Sequence, residues 1–179
     1  MIAQKDAAGL FTFNNKISSI LPPKAYRSYT AQLFEKLVSL KAEDTTDILN
    51  PLHQIAESIK KRSLIVLISD LIEEPENIIT ALKHFHNHRH EVLVFHISDL
   101  QEQAFEFKRE TEFIDSETGN KITVNPWQIR KEYREHYNSF YADLKAACHQ
   151  FNIEYNQVTI QEPIEKLLLK YLIRRQRGL

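Results

Sequence analysis

The sequence predicts an α/β fold built on a mostly parallel sheet covered on both faces. Three observations predict it. Arg62-Ser-Leu-Ile-Val-Leu-Ile-Ser-Asp70 is a short apolar block with almost no polar interruption, whereas a strand wetted on one side alternates apolar and polar residues. A helix signal follows at once, with Glu73, Glu74, Pro75 and Glu76 leading into Ile78, Ile79, Leu82 and Phe85. Strand and helix patterns then alternate to the end of the chain, which is the pattern of a parallel, doubly covered sheet.

Gly9 to Phe13 reads as a strand and Lys16 to Leu21 as a second, with Asn14-Asn15 as the turn between them. Pro22-Pro23 is expected to end the second strand, because proline cannot donate to a ladder. Tyr26, Tyr29, Leu33, Phe34, Leu37 and Leu40 recur at helical spacing, followed by a polar connector from Lys41 to Thr45. Thr46 or Asp47 can cap the next helix, whose buried face would be Ile48, Leu52, Ile55 and Ile59. Pro51 is tolerated there, since a first-turn amide would have no partner. The block ending in Asp70 is read as an interior strand. Its carboxyl end is where open α/β sheets bind ligands.

Glu91 to Ile97 is another strand, with Ser98, Asp99 and Gln101 at its carboxyl end. Phe105 to Val124 reads as a hairpin inserted at the edge of the core, with Asp115 to Asn120 as its turn. Asn125-Pro126 opens a long helix whose apolar stripe is Ile129, Tyr133, Tyr137, Phe140, Leu144, Ala147 and Phe151. Ile153 to Ile160 is the last strand, and Pro163 opens a final helix bearing Ile164, Leu167, Leu168, Tyr171 and Leu172. The basic tail Arg174-Arg175-Gln176-Arg177 suits the carboxyl end of that helix dipole. With 179 residues, no repeats and no low-complexity linker, the chain reads as one domain.

Composition narrows the function classes. Lys and Arg number 23 against 24 Asp and Glu, which argues against a nucleic-acid binder driven by bulk charge. Only Gly9, Gly119 and Gly178 are available, so a P-loop or dinucleotide fingerprint is excluded, and there is no Gly-x-Ser-x-Gly elbow. The one cysteine, Cys148, lies in a helical segment and is read as a small buried hydrophobe. His84, His86, His88 and His90 form an alternating row whose spacing suits one helix face poorly. It is read as a helix carboxyl terminus rather than a metal site. Nothing resembles a secretory signal, and no apolar run approaches the roughly 20 residues of a membrane span, so the expected location is the cytoplasm.

An ordered set of segments resembles a known family. Ala8-Gly-Leu-Phe-Thr-Phe13, Thr46-Asp47-Ile48, Arg62 to Asp70 and His90-Glu-Val-Leu-Val-Phe-His96 come in that order, followed by Ala104-Phe-Glu-Phe107, Phe113-Ile-Asp-Ser-Glu-Thr-Gly119 and Glu162-Pro163. Together they look like the carboxyl half of the bacterial domain of unknown function 58. Those proteins contain a von Willebrand factor A-like domain and are often encoded beside MoxR-type AAA+ ATPases. The resemblance implies a three-layer von Willebrand A-like, Rossmann-like sheet, amino-terminally truncated and lacking its first strand, with the hairpin at about 105–124 inserted. It also implies a metal-ion-dependent adhesion site, in which an Asp-x-Ser-x-Ser strand end, a loop threonine and a strand-end aspartate hold Mg²⁺.

Thr46 matches the threonine, although Asp44-Thr45 stands where glycines are usual. Asp70 matches the last aspartate, and Asp-x-Ser-x-Ser is absent. Thr46 and Asp70 form a partial metal site, so no cofactor is expected in this chain and Mg²⁺ only in an intact parent. In that fold the missing strand lies between those at 9–13 and 63–69. The gap would be repaired by direct pairing of the two or by a homodimer. The resemblance implies a non-enzymatic protein-interaction module, partnering a MoxR-type AAA+ ATPase or its client through Asp70, Thr46 and Asp99. The alternatives are a metal-assisted hydrolase on the edge near Asp70, which lacks a visible nucleophile, and an inactive structural fragment.

Overall fold

The computed structural model describes residues 6–40, 48–107, 109–114 and 119–163, and beyond them 165, 166, 168, 169, 171 and 173. The chain divides into two compact units, 1–60 and 61–179.

The first unit opens with strand β1 (Ala8–Phe13) paired antiparallel to β2 (Ile17–Lys24) in a two-stranded sheet. The second strand does not stop at Pro22-Pro23 but runs through both prolines. The ladder breaks register between Ala8 and Leu10, so Gly9 alone faces the proline pair, as in a β-bulge. A Cβ at Gly9 would lie 2.9 Å from both the Leu21 carbonyl and the Pro23 nitrogen, so glycine is what lets the bulge close. Helix α1 (Tyr29–Val38) is anchored by Tyr29, which is buried and donates its hydroxyl to the Pro22 carbonyl at 2.7 Å. Its stripe is otherwise wet: Phe34 is 62 % exposed, and Leu37 and Val38 are exposed with it. Helix α2 (Leu49–Ser58) buries Leu52 and Ile55 as its periodicity predicts, with Pro51 in the first turn. The proposed caps Thr46 and Asp47 lie outside the described residues.

The second unit is a mixed α/β structure on a three-stranded parallel sheet of order β3-β4-β7 (Leu64–Ser69, Glu91–Ser98 and Glu154–Thr159). The interior position belongs to β4. Val92 to His96 are all buried, because this strand has a neighbour on each side. Among the described residues the expected interior strand, β3, has a strand neighbour on one side only. Leu67 is buried, but Val66 and Ile68 are 46 % and 63 % exposed. An unbroken apolar run reports two apolar faces, not two strand neighbours, so it could not distinguish centre from edge.

Successive side chains of β4 serve opposite layers. Phe95 meets Tyr171 of the final helical segment edge-on at 6.4 Å, in a cluster with Leu93 and Val158. His96 faces the long helix α5 (Pro126–Gln150), which with α3 (Pro75–Asn87) covers the other side. Cys148 of α5 is buried, and burial pushes its thiol up to about 12.

Helix α3 ends in a Schellman motif: His90 N–H donates to the Phe85 carbonyl and Arg89 N–H to that of His86. Arg89 holds the left-handed position at φ 61°, where glycine carries no Cβ penalty, and it is exposed. Arg89→Gly is expected to stabilise the unit by roughly 1 kcal/mol, read as a raised urea midpoint at constant slope. The alternating histidines serve this helix end. His90 is buried, and its Nδ1 accepts from the Ser63 amide at 3.2 Å, tying the helix end to the start of β3.

The hairpin is shorter than expected. Strands β5 (Thr111–Ile114) and β6 (Lys121–Val124) form a separate two-stranded antiparallel sheet, while Phe105 and Phe107 precede it. Phe105 instead closes the short helix α4 (Leu100–Ala104) in a left-handed conformation at φ 48°. It stacks on Tyr133 at 4.1 Å and on Phe113 at 5.7 Å, so aromatic contacts hold the hairpin against α5. Arg130 of α5 adds two hydrogen bonds, to the Phe105 and Phe107 carbonyls.

Candidate functional site

The carboxyl ends of β3 and β4 open into a cleft of about 580 Å³. The sequence delivers Asp70 there because β3 ends at Ser69 and the chain turns sharply. Leu71 is fully buried at φ 49°, a costly conformation for a branched side chain, held in part by its amide donating to Ser69 Oγ at 3.1 Å. Asp70 is left exposed on the rim, where Ser69 Oγ donates to it weakly at 3.4 Å.

Glu73, Glu74 and Glu102 share the lining with Asp70. Two of them already serve local structure. Glu73 accepts from the Glu74 amide and from Asn77 at the start of α3, and Glu102 accepts from the Asp99 amide.

The floor is His96, framed by Tyr137, Phe140 and Tyr141 from α5. His96 is 1 % exposed, with Nδ1 hydrogen-bonded to the Tyr155 hydroxyl at 2.7 Å. Its Nε2 lies 3.2 Å from the Tyr141 hydroxyl, but the two rings are stacked at 4.5 Å, which sets that hydroxyl off the imidazole plane. The Tyr155 bond is therefore the stronger. Loss of hydration lowers the His96 pKa to about 4, against the opposing pull of the Asp70 backbone and carboxylate. The same burial raises the Tyr141 and Tyr155 hydroxyls above their ordinary value. His96 is thus neutral at pH 7.

The residues singled out by sequence separate. Thr46 lies outside the described residues. Asp99 does not line the cleft but caps α4: its carboxylate accepts from the Gln101 amide at 2.7 Å and from Gln161 Nε2 at 3.1 Å, and Glu102 completes a capping box. Asp99→Ala is expected to cost about 1 kcal/mol, measured by chemical unfolding. Asp70 lines the cleft at the end of β3. Among the described residues no group of three or more His, Cys, Asp or Glu side chains is placed to hold a metal ion. Asp70 by itself would leave almost the whole shell of a hard cation to water, and Thr46 lies outside the described residues, so the described residues do not complete the implied Mg²⁺ site. The reading by sequence missed His96, Tyr141 and Tyr155 as a group. The available signal was an ionisable residue set inside the apolar run Val92–Ile97, with tyrosines at 133, 137 and 141 on one helix face.

The sequence model of the family described as protein of unknown function DUF58 matches residues 1–146. The chain belongs to the DUF58 family. No curated protein matches it. Among solved structures it is similar to the conserved hypothetical protein BatB from Bacteroides thetaiotaomicron, at 15% identity and a TM-score of 0.57, over 97% of this chain and 80% of that one. It is also similar to an aerotolerance-related membrane protein from Bacteroides fragilis NCTC 9343 carrying multiple mutations to serines. There the identity is 18% and the TM-score 0.47, over 82% of this chain and 79% of that one. For this DUF58 chain the BatB likeness speaks to fold alone. No helix among its described residues is long and apolar enough to cross a membrane.

Proposed function

We propose that this DUF58 chain is a non-enzymatic, cytoplasmic protein-interaction module of von Willebrand A type. Its partner is a MoxR-type AAA+ ATPase or a client of one, engaged at the carboxyl end of the parallel sheet. One observation carries the reading: Asp70 stands exposed on the rim of an acidic, aromatic-floored cleft where β3 and β4 end. The parallel β3-β4-β7 order, with helical residues on both faces, supports the fold type.

The hydrolase alternative gains nothing from the cleft. Its imidazole is buried and engaged by Tyr155, and Cys148 is buried in a helix. The test is binding of a MoxR-type ATPase from the same genome, measured by interferometry with and without nucleotide. A complex that weakens about tenfold or more in Asp70→Ala/Glu74→Ala is the expected result. No complex in either nucleotide state removes the reading.

A further inference from the structure

We propose that the amino end of the parallel sheet carries an anion site for a phosphate monoester, clamped by Arg62 and Arg89. A cavity of about 510 Å³ opens where β3 and β4 begin, at the other end of these strands from Asp70. Its lining is Arg62, His86, Arg89, His90, Glu91 and Asn152, all within the second unit.

Two helices finish at this cavity in the same way. At the end of α5, Asn152 N–H donates to the His149 carbonyl and Ile153 N–H to that of Cys148, which repeats the Schellman motif of α3. The left-handed residue of each motif, Arg89 at φ 61° and Asn152 at φ 52°, lines the cavity. These backbone bonds satisfy carbonyls of both last turns, so cationic side chains are not needed to cap them. The dipole of α3 favours positive charge at its end, but it does not account for Arg62, which precedes a strand. Asparagine tolerates the left-handed region and arginine does not, so a guanidinium is kept at a position where glycine would be more stable.

The charges are available. Arg62 and Arg89 are exposed, and among the described residues neither guanidinium has an ion pair or a side-chain hydrogen bond. His90 accepts at Nδ1 from the Ser63 amide, so its other nitrogen is a donor. Glu91 is the one carboxylate in the lining. A phosphate monoester carries close to two negative charges at neutral pH and three acceptor oxygens, enough to engage two guanidinium forks at once. A simple carboxylate has oxygens for one fork.

The test is calorimetric titration of the full chain with phenyl phosphate at constant ionic strength, with chloride as the background anion. Saturable binding at one site is expected. Arg62→Gln and Arg89→Gln should each raise the dissociation constant about tenfold, while Arg134→Gln, which removes an exposed charge elsewhere on α5, should leave it within about twofold. Arg89→Gly separates recognition from folding: it should unfold at higher urea and yet bind phenyl phosphate about tenfold more weakly. Sedimentation with phosphatidylcholine vesicles, with and without phosphatidic acid, distinguishes the source of the phosphate. Binding to phenyl phosphate supports a soluble ligand, and binding to the phosphatidic acid vesicles alone, lost in Arg89→Gly, supports a lipid headgroup at the same site. Binding to neither probe overturns the proposal. So does full-strength binding in Arg89→Gly, or an equal loss in Arg134→Gln.

Discussion

Truncating Phe85 to alanine is expected to remove about 3–5 kcal/mol of stability. Phe85 is 1 % exposed on α3, and its ring lies 6.3 Å from His90 at the helix end that ties α3 to β3. The loss combines the transfer energy of the ring with the cavity it leaves, since the sheet and helix backbones on either side relax only in part. Against a typical total of about 5–15 kcal/mol this is a large share. It should appear as a lower urea midpoint with an unchanged slope. Phe34→Ala is the matched control. Phe34 has the same side chain at a position read from sequence as part of an apolar helical stripe, yet it is 62 % exposed. Its truncation should change stability by no more than about 0.5 kcal/mol. Equal losses at the two positions would contradict the burial described here.

The second large effect is a pH dependence centred on His96. Its pKa is about 4 in the folded chain against an ordinary 6.5. Above about pH 6.5 neither state binds the proton, and His96 adds no slope. Between about 6.5 and 4 the unfolded chain takes the proton and the folded chain refuses it, so stability falls as pH falls. Below about 4 both are protonated and the loss, about 3 kcal/mol, is complete. His96→Gln keeps a hydrogen-bonding partner for Tyr155 and cannot titrate. Unfolding by urea from about pH 7 to about pH 4 should show the wild type losing that amount relative to His96→Gln. Parallel curves would show that His96 titrates as an ordinary solvated imidazole.

These two residues also mark how much the sequence disclosed. Helical spacing placed Phe85, Leu82 and Ile78 on one face of α3, and all three are buried. The same spacing misjudged Phe34, because periodicity shows that a stripe exists and not that a layer covers it. The run 64–68 was legible as a parallel strand, but its having β4 as its one neighbour among the described residues was not, since strand order depends on contacts remote in sequence. Pro22-Pro23 looked like a stop, but the bulge opposite Gly9 absorbs the missing donors.

At the candidate site, Asp70 could be read from its place after an apolar strand. Asp99 could not be separated from it by sequence. Both follow parallel strands, and only the capping box shows that one carboxylate is committed to α4. His96 was hidden because its partner Tyr155 lies 59 residues away. Thr46 and residues 115–118, which the sequence reading placed in the hairpin turn, lie outside the described residues.

Cys148 makes the chain its own folding clock. It is the sole thiol, sealed on the buried face of α5 and held almost wholly protonated at neutral pH. Alkylating reagents need an accessible thiolate, so labelling can proceed only during excursions in which α5 lifts from its neighbours. The mass gained over time would count those openings directly, with no dye or engineered probe.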